Sequence, residues 1–259
     1  MFTTIVPIYE PNDVENLLSN LEMIEAFSEE YHLKVIIIDD GSKCNDYIEK
    51  LKSFESIHFL RNERNLGKAA SINKVIPFVD TDYINILDVD DRLCHLGIVE
   101  KLEFIEKENK DLLIGSFQVV NQGEVHESRL VPDKTKKELI EQFLAGFKTP
   151  FHLNATLFKK NIFVKVGGMD KHLRRAQDTD LAVKILKGCS SYKLSETIHY
   201  KYIKHRDDLK SILELRLKTI AYRNKMISNN SNGIKKYYFS GKAFIIDVLK
   251  LFYSMGTKY

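Results

Sequence analysis

The sequence has 259 residues and a net charge of +3; hydrophobic residues make up 44% of it, with only 12 glycines and 5 prolines. That length fits one large domain or one domain with an appendage, and the composition excludes disordered, collagen-like and proline-rich classes. No apolar run approaches the ~18 residues of a membrane span, no signal peptide is recognisable, and three separated cysteines without a CxxC pattern predict a reducing, cytoplasmic location.

The first ninety residues alternate short β-branched runs with amphipathic stretches, a pattern typical of βαβ units and a parallel sheet. Strands are predicted over residues 3–8, 35–38, 57–60 and 83–87, with one helix capped by Asn12 or Asp13 and another over 68–78. The second strand is wholly apolar, so we expect it to be buried on both faces. Ligands of such sheets bind beyond the carboxyl ends of the strands.

After residue 92 the regular alternation of predicted strands and helices ends. A helix over 95–108 and a strand pair, 112–120 and 125–130, predict an antiparallel addition to the sheet. Thr135 and Glu138 have the spacing of a capping box, which predicts a short helix. Another helix over 178–186, a strand over 192–198, a long helix from Asp207 to about Ile227 and a last helix over 235–253 complete the pattern.

The charge is distributed unevenly along the chain. Residues 201–259 carry 13 Lys and Arg against 4 Asp and Glu, whereas residues 1–200 carry 26 against 32. We expect residues 206–259 to form a basic helical module with Phe244, Val248 and Leu251 near one face. That face would pack on the chain's own core or on a second subunit; an anionic membrane and a plain solvated surface are the alternatives.

The segment Asp88 to Asp91 is the sharpest chemical feature. Carboxylates crowded at the end of an apolar strand repel one another, so they need a divalent cation or many backbone donors nearby. Oxygen ligands of this kind suit Mg²⁺ or Mn²⁺, which keep open positions for phosphate oxygens. A solvated turn that caps the next helix is the alternative interpretation.

Two other polar clusters belong to the same predicted sheet edge. Asp39 or Asp40 would place a carboxylate where a nucleobase N–H could be held. The segment Asn65 to Lys68 would bring a cation and a helix N-terminus towards a diphosphate. The chain has no GxGxxG motif, and Gly67 lacks the upstream glycine of a P-loop, so the usual ATPase and dinucleotide signatures are absent.

Six motifs follow one another along residues 3–205: Pro7-Ile8-Tyr9-Glu10, Ile38-Asp39-Asp40-Gly41-Ser42, Asn65-Leu66-Gly67-Lys68-Ala69-Ala70-Ser71-Ile72-Asn73, Leu87-Asp88-Val89-Asp90-Asp91, Gly167-Gly168-Met169-Asp170 and Gln177-Asp178-Thr179-Asp180-Leu181. In order and spacing this set resembles glycosyltransferase family 2. The resemblance implies an α/β fold of the GT-A type, with a Rossmann-like, mostly parallel central sheet flanked by helices. Residues 1–92 would be the nucleotide-sugar-binding half, 93–205 the acceptor-binding half and 206–259 a C-terminal helical appendage.

The resemblance also assigns residues to the donor side of the site. Asp39 or Asp40 would contact the uracil, and Lys68 would lie near the nucleotide. The pocket itself would be lined by Pro7, Tyr9 and Glu10.

By the same resemblance, Asp88 would contact the ribose and Asp90 a metal ion, Mn²⁺ or Mg²⁺. Asp178 matches the catalytic base at the start of the acceptor-side helix. His205 resembles a late histidine near the metal and the diphosphate, and His199 is the weaker candidate for that place. The chain departs from the family pattern at Gln177, where a Glu is usual. It has no Trp, so the QxxRW motif of processive synthases is missing and processive synthesis is not expected.

These expectations describe a metal-dependent, inverting hexosyltransferase. It would move a sugar from a UDP-sugar to a hydroxyl of a glycan, lipid-linked or protein acceptor, in bacterial-type surface glycan or glycoconjugate synthesis. No nucleic-acid partner is expected. One alternative is a haloacid-dehalogenase-type phosphatase, although Arg92 stands where its motif needs Thr or Val. The other is a non-catalytic nucleotide-sugar-binding protein, which Gln177 would suit.

Overall fold

The computed structural model describes residues 1–11, 14–31, 33–44, 46–51, 53–54, 57–145, 149–173, 175–204 and 223–256, with backbone only for residues 28–30 and 247–256. The helix caps expected at Asn12 and Asp13 and most of the helix expected from Asp207 lie outside the described residues.

The first part of the chain alternates strands and helices, as the sequence predicts. Its elements are β1 (Phe2–Ile8), α1 (Glu15–Tyr31), β2 (Lys34–Asp39), α2 (Ile48–Leu51), β3 (Ile57–Arg61), α3 (Lys68–Val75) and β4 (Tyr83–Ile86). A 3₁₀ turn, Ile76–Phe78, follows α3 directly. Pro77 has no N–H to donate to the helix, so α3 ends at Val75. The predicted end was residue 78.

The second part of the chain continues with β5 (Arg92–Leu93), α4 (His95–Lys107), β6 (Leu112–Asn121), β7 (Glu124–Arg129), α5 (Lys136–Ala145), β8 (Thr156–Lys159), α6 (Lys160–Lys165), α7 (Gln177–Gly188) and β9 (Tyr192–Lys204). Residues 223–230 form the helical segment α8, and α9 (Gly233–Gly256) follows. Among the described residues, no helix is long and apolar enough to cross a bilayer.

All nine of these strands form one sheet, in the order β3-β2-β1-β4-β8-β6-β9-β5, with β7 paired to β6. Strands β3, β2, β1 and β4 run parallel, so their carboxyl ends lie at one edge. Beyond β4 the sheet is mixed, because β8 is antiparallel to its neighbours while β6 and β9 are parallel to each other. The four parallel strands and the mixed second part are therefore joined edge to edge in one sheet.

The sheet is buried on both faces. Alternate residues of β2 face opposite sides: Ile36 and Ile38 belong to the core cluster that includes α3 and α7, and Val35 and Ile37 to the one that includes α1 and α4. This arrangement confirms the burial expected for the apolar second strand, and it explains why that strand shows no alternation of apolar and polar residues.

Four short elements were missed and one strand was predicted too short. No strand was predicted at β5 or β8 and no helix at α2 or α6, and β9 was predicted to end at residue 198, six residues early. Strand β9 extends to Lys204 because it pairs with β6 along its length, with an irregular register near Ser116. The capping box is confirmed: the backbone N–H of Thr135 donates to Glu138 Oε2 over 2.9 Å at the start of α5.

Candidate active site

The acidic loop after β4, Asp88 to Asp91, is hydrogen-bonded to neighbouring segments of the chain. Asp91 is buried, and its carboxylate accepts hydrogen bonds from Ile203 N at 3.0 Å and Asn154 Nδ2 at 2.8 Å. The same Asn154 amide donates to Asp88 Oδ2 at 3.1 Å. Burial and repulsion from Asp88 raise the pKa of Asp91 to about 8. Asn154 therefore joins two carboxylates that would otherwise repel each other.

Lys68 joins the acidic loop to the start of α7. Its ammonium lies 2.7 Å from Asp88 Oδ1 and 3.1 Å from the carboxylate of Asp178. Burial alone would lower the pKa of Lys68, but attraction from Asp178 and Asp88 outweighs burial and raises it. The structure thus brings together three residues that the sequence had placed in three separate motifs.

The same contact affects the two carboxylates differently. Burial acts to raise the pKa of Asp88, but attraction from Lys68 and a hydrogen bond from Asn154 lower it below its usual value. Burial also raises the pKa of Asp178, and there the attraction of Lys68 offsets only part of the effect. Asp178 is consequently the more basic of the two, which is the property required of a proton acceptor.

Asp40 fixes the position of Lys68. Its carboxylate is buried and accepts hydrogen bonds from Asn62 Nδ2 at 2.9 Å, Leu66 N at 2.8 Å and Gly67 N at 2.7 Å. Gly67 has a φ of 92° and directly precedes α3, whose first residue is Lys68. Asp40 therefore acts within the protein, by holding the loop that starts α3.

Asp39 is fully buried at the end of β2. Its Oδ1 accepts a hydrogen bond from Ser42 N at 2.9 Å, and its Oδ2 lies 3.0 Å from Arg61 Nε. The intervening Gly41 has a φ of 76°, and a Cβ there would come within 2.6 Å of the Arg64 carbonyl carbon. A tight turn with no room for a side chain thus forms this part of the sheet edge.

The first motif lies beside that turn. Tyr9 is half-exposed just after β1, and Glu10 adopts a left-handed backbone with a φ of 43°. The N–H of Glu10 donates to Ser42 Oγ at 2.9 Å, and Glu10 Oε1 accepts from Lys43 N at 2.8 Å. Pro7 precedes them within β1, so the structure places the donor-side candidates along one strand edge.

A cleft of about 490 Å³ opens beside Asp88, Asp91 and Asp178. One wall is aromatic: His152 stacks on Phe117, with ring centroids 4.0 Å apart, and meets Tyr202 edge-on at 5.5 Å. Burial and the nearby Arg129 lower the pKa of His152 to about 4, so it is neutral at physiological pH. Further lining comes from Val119, His126, Glu127, Arg129, Phe143, Thr149, Phe151, Leu153, Asn154, Thr179, Ala182, Tyr200 and Lys204.

The two candidate histidines differ in their placement. His205 lies outside the described residues. His199 is buried; its Nδ1 lies 3.0 Å from the Ala155 carbonyl oxygen, and its Nε2 lies 3.0 Å from Glu100 Oε2. A Cβ at Gly115 would overlap its ring. His199 is therefore packed inside the protein, away from any open position for a ligand.

The C-terminal segment supports the helix that carries Asp178. Asn230 Nδ2 donates to the buried Asp180 Oδ1 at 2.8 Å, and Lys187 Nζ reaches the Asn230 carbonyl oxygen at 2.5 Å. Nearby, Leu173 packs in one cluster with Leu144, Ala145, Met226, Ile227, Phe239 and Ala243. Packing of the tail on the chain's own core is thus observed. Phe239 and Ala243 make this contact, whereas Phe244, expected on the packing face, is 58% exposed.

We expect Asn230→Asp to destabilise α7, because it sets a second carboxylate against the buried Asp180. The loss should be about 1–3 kcal/mol, the usual cost of a buried group without a suitable partner. Thermal unfolding and hydrogen exchange over residues 170–188 measure it. Asn232→Asp, the same change at an exposed position, is the control. The double variant Asp180→Asn/Asn230→Asp should recover most of the loss; equal effects at positions 230 and 232 would contradict this account.

The sequence is similar to known glycosyltransferases. The family model described as glycosyl transferase family 2 matches residues 3–167. An uncharacterized glycosyltransferase of Methanocaldococcus jannaschii is 26% identical over 227 residues, covering 83% of this chain and 78% of that protein. A poly-beta-1,6-N-acetyl-D-glucosamine synthase of Staphylococcus aureus is 28% identical over 184 residues, covering 65% of this chain and 42% of the synthase.

Solved structures share the fold. S. aureus TarS, in complex with UDP-GlcNAc, gives a TM-score of 0.65 at 15% identity over 94% of this chain and 71% of that one. The mannosyltransferase PcManGT from Pyrobaculum calidifontis, in complex with GDP-Man and Mn²⁺, gives a TM-score of 0.59 at 14% identity. The match covers 95% of this chain and 73% of the mannosyltransferase. The fold is therefore the GT-A fold that the motifs implied.

Proposed function

Because this chain belongs to glycosyl transferase family 2, we propose that it transfers a hexose-type sugar from a UDP-sugar to an acceptor hydroxyl with inversion at the anomeric carbon. The contact of Lys68 with both Asp88 and Asp178 carries the proposal. Through this contact one ammonium group pairs with a carboxylate on the proposed donor side, Asp88, and with the more basic carboxylate of Asp178. All three lie at the sheet edge where such folds bind ligands. The S. aureus relatives, a polysaccharide synthase and a UDP-GlcNAc-binding protein, support a surface-glycan role.

We assign the donor to residues 1–92. Its uracil would lie by the turn that contains Asp39 and Asp40, beside Pro7, Tyr9 and Glu10. Since Asp40 already accepts three hydrogen bonds, two of them from backbone N–H groups of the loop before α3, Asp39 is the better candidate for direct contact with the base. Asp88 would reach the ribose, and Lys68 would lie near the diphosphate, where a cation offsets its charge.

A divalent ion fits the chemistry of the acidic loop. Asp90 supplies a hard oxygen ligand, and His205 is the second candidate. Within the described part of the chain, no group of three His, Cys, Asp or Glu side chains could hold a metal by itself. Mg²⁺ and Mn²⁺ are commonly held by one or two carboxylates together with substrate phosphates, and Asp90 would be such a carboxylate. When bound, the ion would neutralise charge on the diphosphate leaving group.

The protein's own residues supply the proton transfer. The acceptor hydroxyl would enter the cleft, in the half formed by residues 93–205, and give its proton to Asp178. Its oxygen would attack the anomeric carbon from the face opposite the diphosphate, and the sugar–phosphate bond would break. A single displacement of this kind converts an α-linked donor into a β-linked product. General-base assistance contributes ~10²–10⁴ to such a rate.

The acceptor and the location follow from the same proposal. The aromatic wall of the cleft suits the apolar face of a sugar ring, so the acceptor would be a glycan, alone or linked to lipid or protein. We propose that the protein acts in the cytoplasm at the inner face of the membrane, through residues 206–259, and that it binds no nucleic acid. A second subunit packed on the same residues is the alternative contact.

The test of this function is Asp90→Asn. The change keeps the shape of the side chain but removes a metal ligand, so UDP affinity should stop depending on Mn²⁺ while the fold is unchanged. Calorimetry of UDP binding with and without Mn²⁺ measures it. Asp133→Asn, at an exposed residue before α5, is the matched control. Equal, Mn²⁺-enhanced UDP affinity in Asp90→Asn and in the unaltered protein would refute the role of the acidic loop.

A further inference from the structure

Helix α9 has two apolar faces, and only one of them is covered. Phe239, Ala243 and Ile246 are buried, and the first two pack in the cluster with Leu144 and Leu173. The other face is open to solvent: Ile234 is 88% exposed and Tyr237 78%. Three more large apolar side chains on it are 58–60% exposed, namely Tyr238, Phe244 and Ile245.

These exposed side chains form one continuous stripe. At about 100° per residue, the five positions fall within an arc of about 120°, roughly opposite Phe239 and Ala243. Lys235 and Lys242 lie between the two faces on one side, and Lys236 lies between them on the other. Lys242 Nζ lies 5.6 Å from the centre of the Tyr238 ring. An apolar stripe with aromatic side chains and flanking lysines is typical of a helix that lies in a membrane interface.

The positive charge of residues 223–246 favours a negatively charged binding partner. Residues 223–246 contain five Lys and Arg and no Asp or Glu. A second copy of the chain would bring this cationic surface against itself in a two-fold dimer, which like charges disfavour. An anionic bilayer surface is complementary to both the lysines and the apolar stripe.

We propose that the exposed stripe of α9, residues Ile234, Tyr237, Tyr238, Phe244 and Ile245 with their flanking lysines, binds the headgroup region of an anionic lipid bilayer. The aromatic rings insert among the headgroups while Lys235, Lys236 and Lys242 meet the lipid phosphates. Because the covered face of α9 shares a cluster with Leu173, just before α7, this attachment would hold the acceptor-side half of the protein at the membrane. This inference rests on the membrane contact proposed above for residues 206–259 and names its surface; its test measures lipid binding, so it can fail while the proposed transfer reaction stands.

The experiment is sedimentation of the full chain with sucrose-loaded vesicles of phosphatidylcholine, with or without about one third phosphatidylglycerol, at low and high salt. We expect binding to the anionic vesicles only, and weaker binding at high salt. Each lysine near the surface contributes about fivefold to binding, so the triple change Lys235→Gln/Lys236→Gln/Lys242→Gln should weaken it about 100-fold.

Two further variants complete the design. Tyr237→Ser/Phe244→Ser/Ile245→Ser should abolish vesicle binding without lowering thermal stability, since all three side chains are exposed. The exposed lysines Lys50, Lys107 and Lys137, changed together to Gln, form the matched control and should bind like the unaltered protein. Equal binding to both vesicle types, equal loss in the two lysine triples, or a dimer that depends on the stripe without vesicle binding would each overturn the proposal.

Discussion

Replacing Asp178 by Asn is expected to lower sugar transfer at least ~100-fold while leaving the affinity for the UDP-sugar nearly unchanged. An amide cannot take the proton of the acceptor hydroxyl. It can still accept the hydrogen bond from Lys68, so Lys68 and Asp88 should keep their places in the site. The measurement is UDP release from the UDP-sugar that the unaltered protein cleaves, with acceptor or with water alone, alongside calorimetric titration of that donor.

The control for this variant is again Asp133→Asn, which changes one exposed carboxyl away from the cleft and should leave the rate unaltered. Transfer by Asp178→Asn at the rate of the unaltered protein would show that another group takes the proton. Asp180 would be an unsuitable substitute, because it is buried and its carboxylate is bound by Lys184 and Asn230.

Replacing Lys68 by Met should also slow transfer, and the size of the defect should depend on pH. The ammonium holds down the pKa of Asp178, which burial already raises. An opposite charge this close typically shifts a carboxyl by 1–3 pKa units. Without it the pKa of Asp178 rises further, so less of the residue is ionised at neutral pH. We expect a loss of ~10–10³-fold that shrinks as the pH rises through the new pKa.

The pH profile of the transfer rate measures this effect. Its acid limb should move to higher pH in Lys68→Met and return towards its original position in Lys68→Arg, which restores the cation. A defect of equal size at every pH would contradict the electrostatic coupling. It would leave Lys68 with a role in donor binding alone.

Much of the fold could be predicted because the physical signals are local. Runs such as Val35 to Ile38 and the amphipathic spacing around Leu17 and Leu21 define βαβ units without reference to the rest of the chain. The parallel arrangement then places Asp39, Asp88 and Lys68 at one edge, whereas Asp178 was assigned only through the family resemblance.

The contacts within the site could not be predicted in the same way, because they join residues far apart in sequence. Asn154 lies in a stretch without periodicity, yet it joins Asp88 and Asp91. The aromatic wall includes His152 and Tyr202, which come from separate parts of the chain, and the buried Phe117 packs against His152. No local sequence pattern distinguishes the roles of Asp39 and Asp40. In the structure, Asp39 lies at the tight turn after β2, and Asp40 accepts hydrogen bonds from the loop before α3.

Lys101 shows a similar limit. In the sequence it reads as a polar residue on an amphipathic helix, but it is fully buried. Its Nζ donates to Asn85 Oδ1 at 3.2 Å, and burial lowers the pKa of Lys101 to about 7. Likewise, α9 is apolar on two faces, so spacing alone could not show which face packs. The packed face is the one that contacts the neighbouring helices α5 and α8.

The stereochemistry of donor cleavage tests the central claim most directly. Proton NMR, recorded while the protein is incubated with Mn²⁺ and an α-linked UDP-sugar, distinguishes the anomer formed first before mutarotation mixes the two. A base at Asp178 and a single displacement predict that the β-anomer forms first, and that Asp178→Asn slows its formation at least ~100-fold. Initial formation of the α-anomer, or cleavage that is unaffected in Asp178→Asn, would contradict the account.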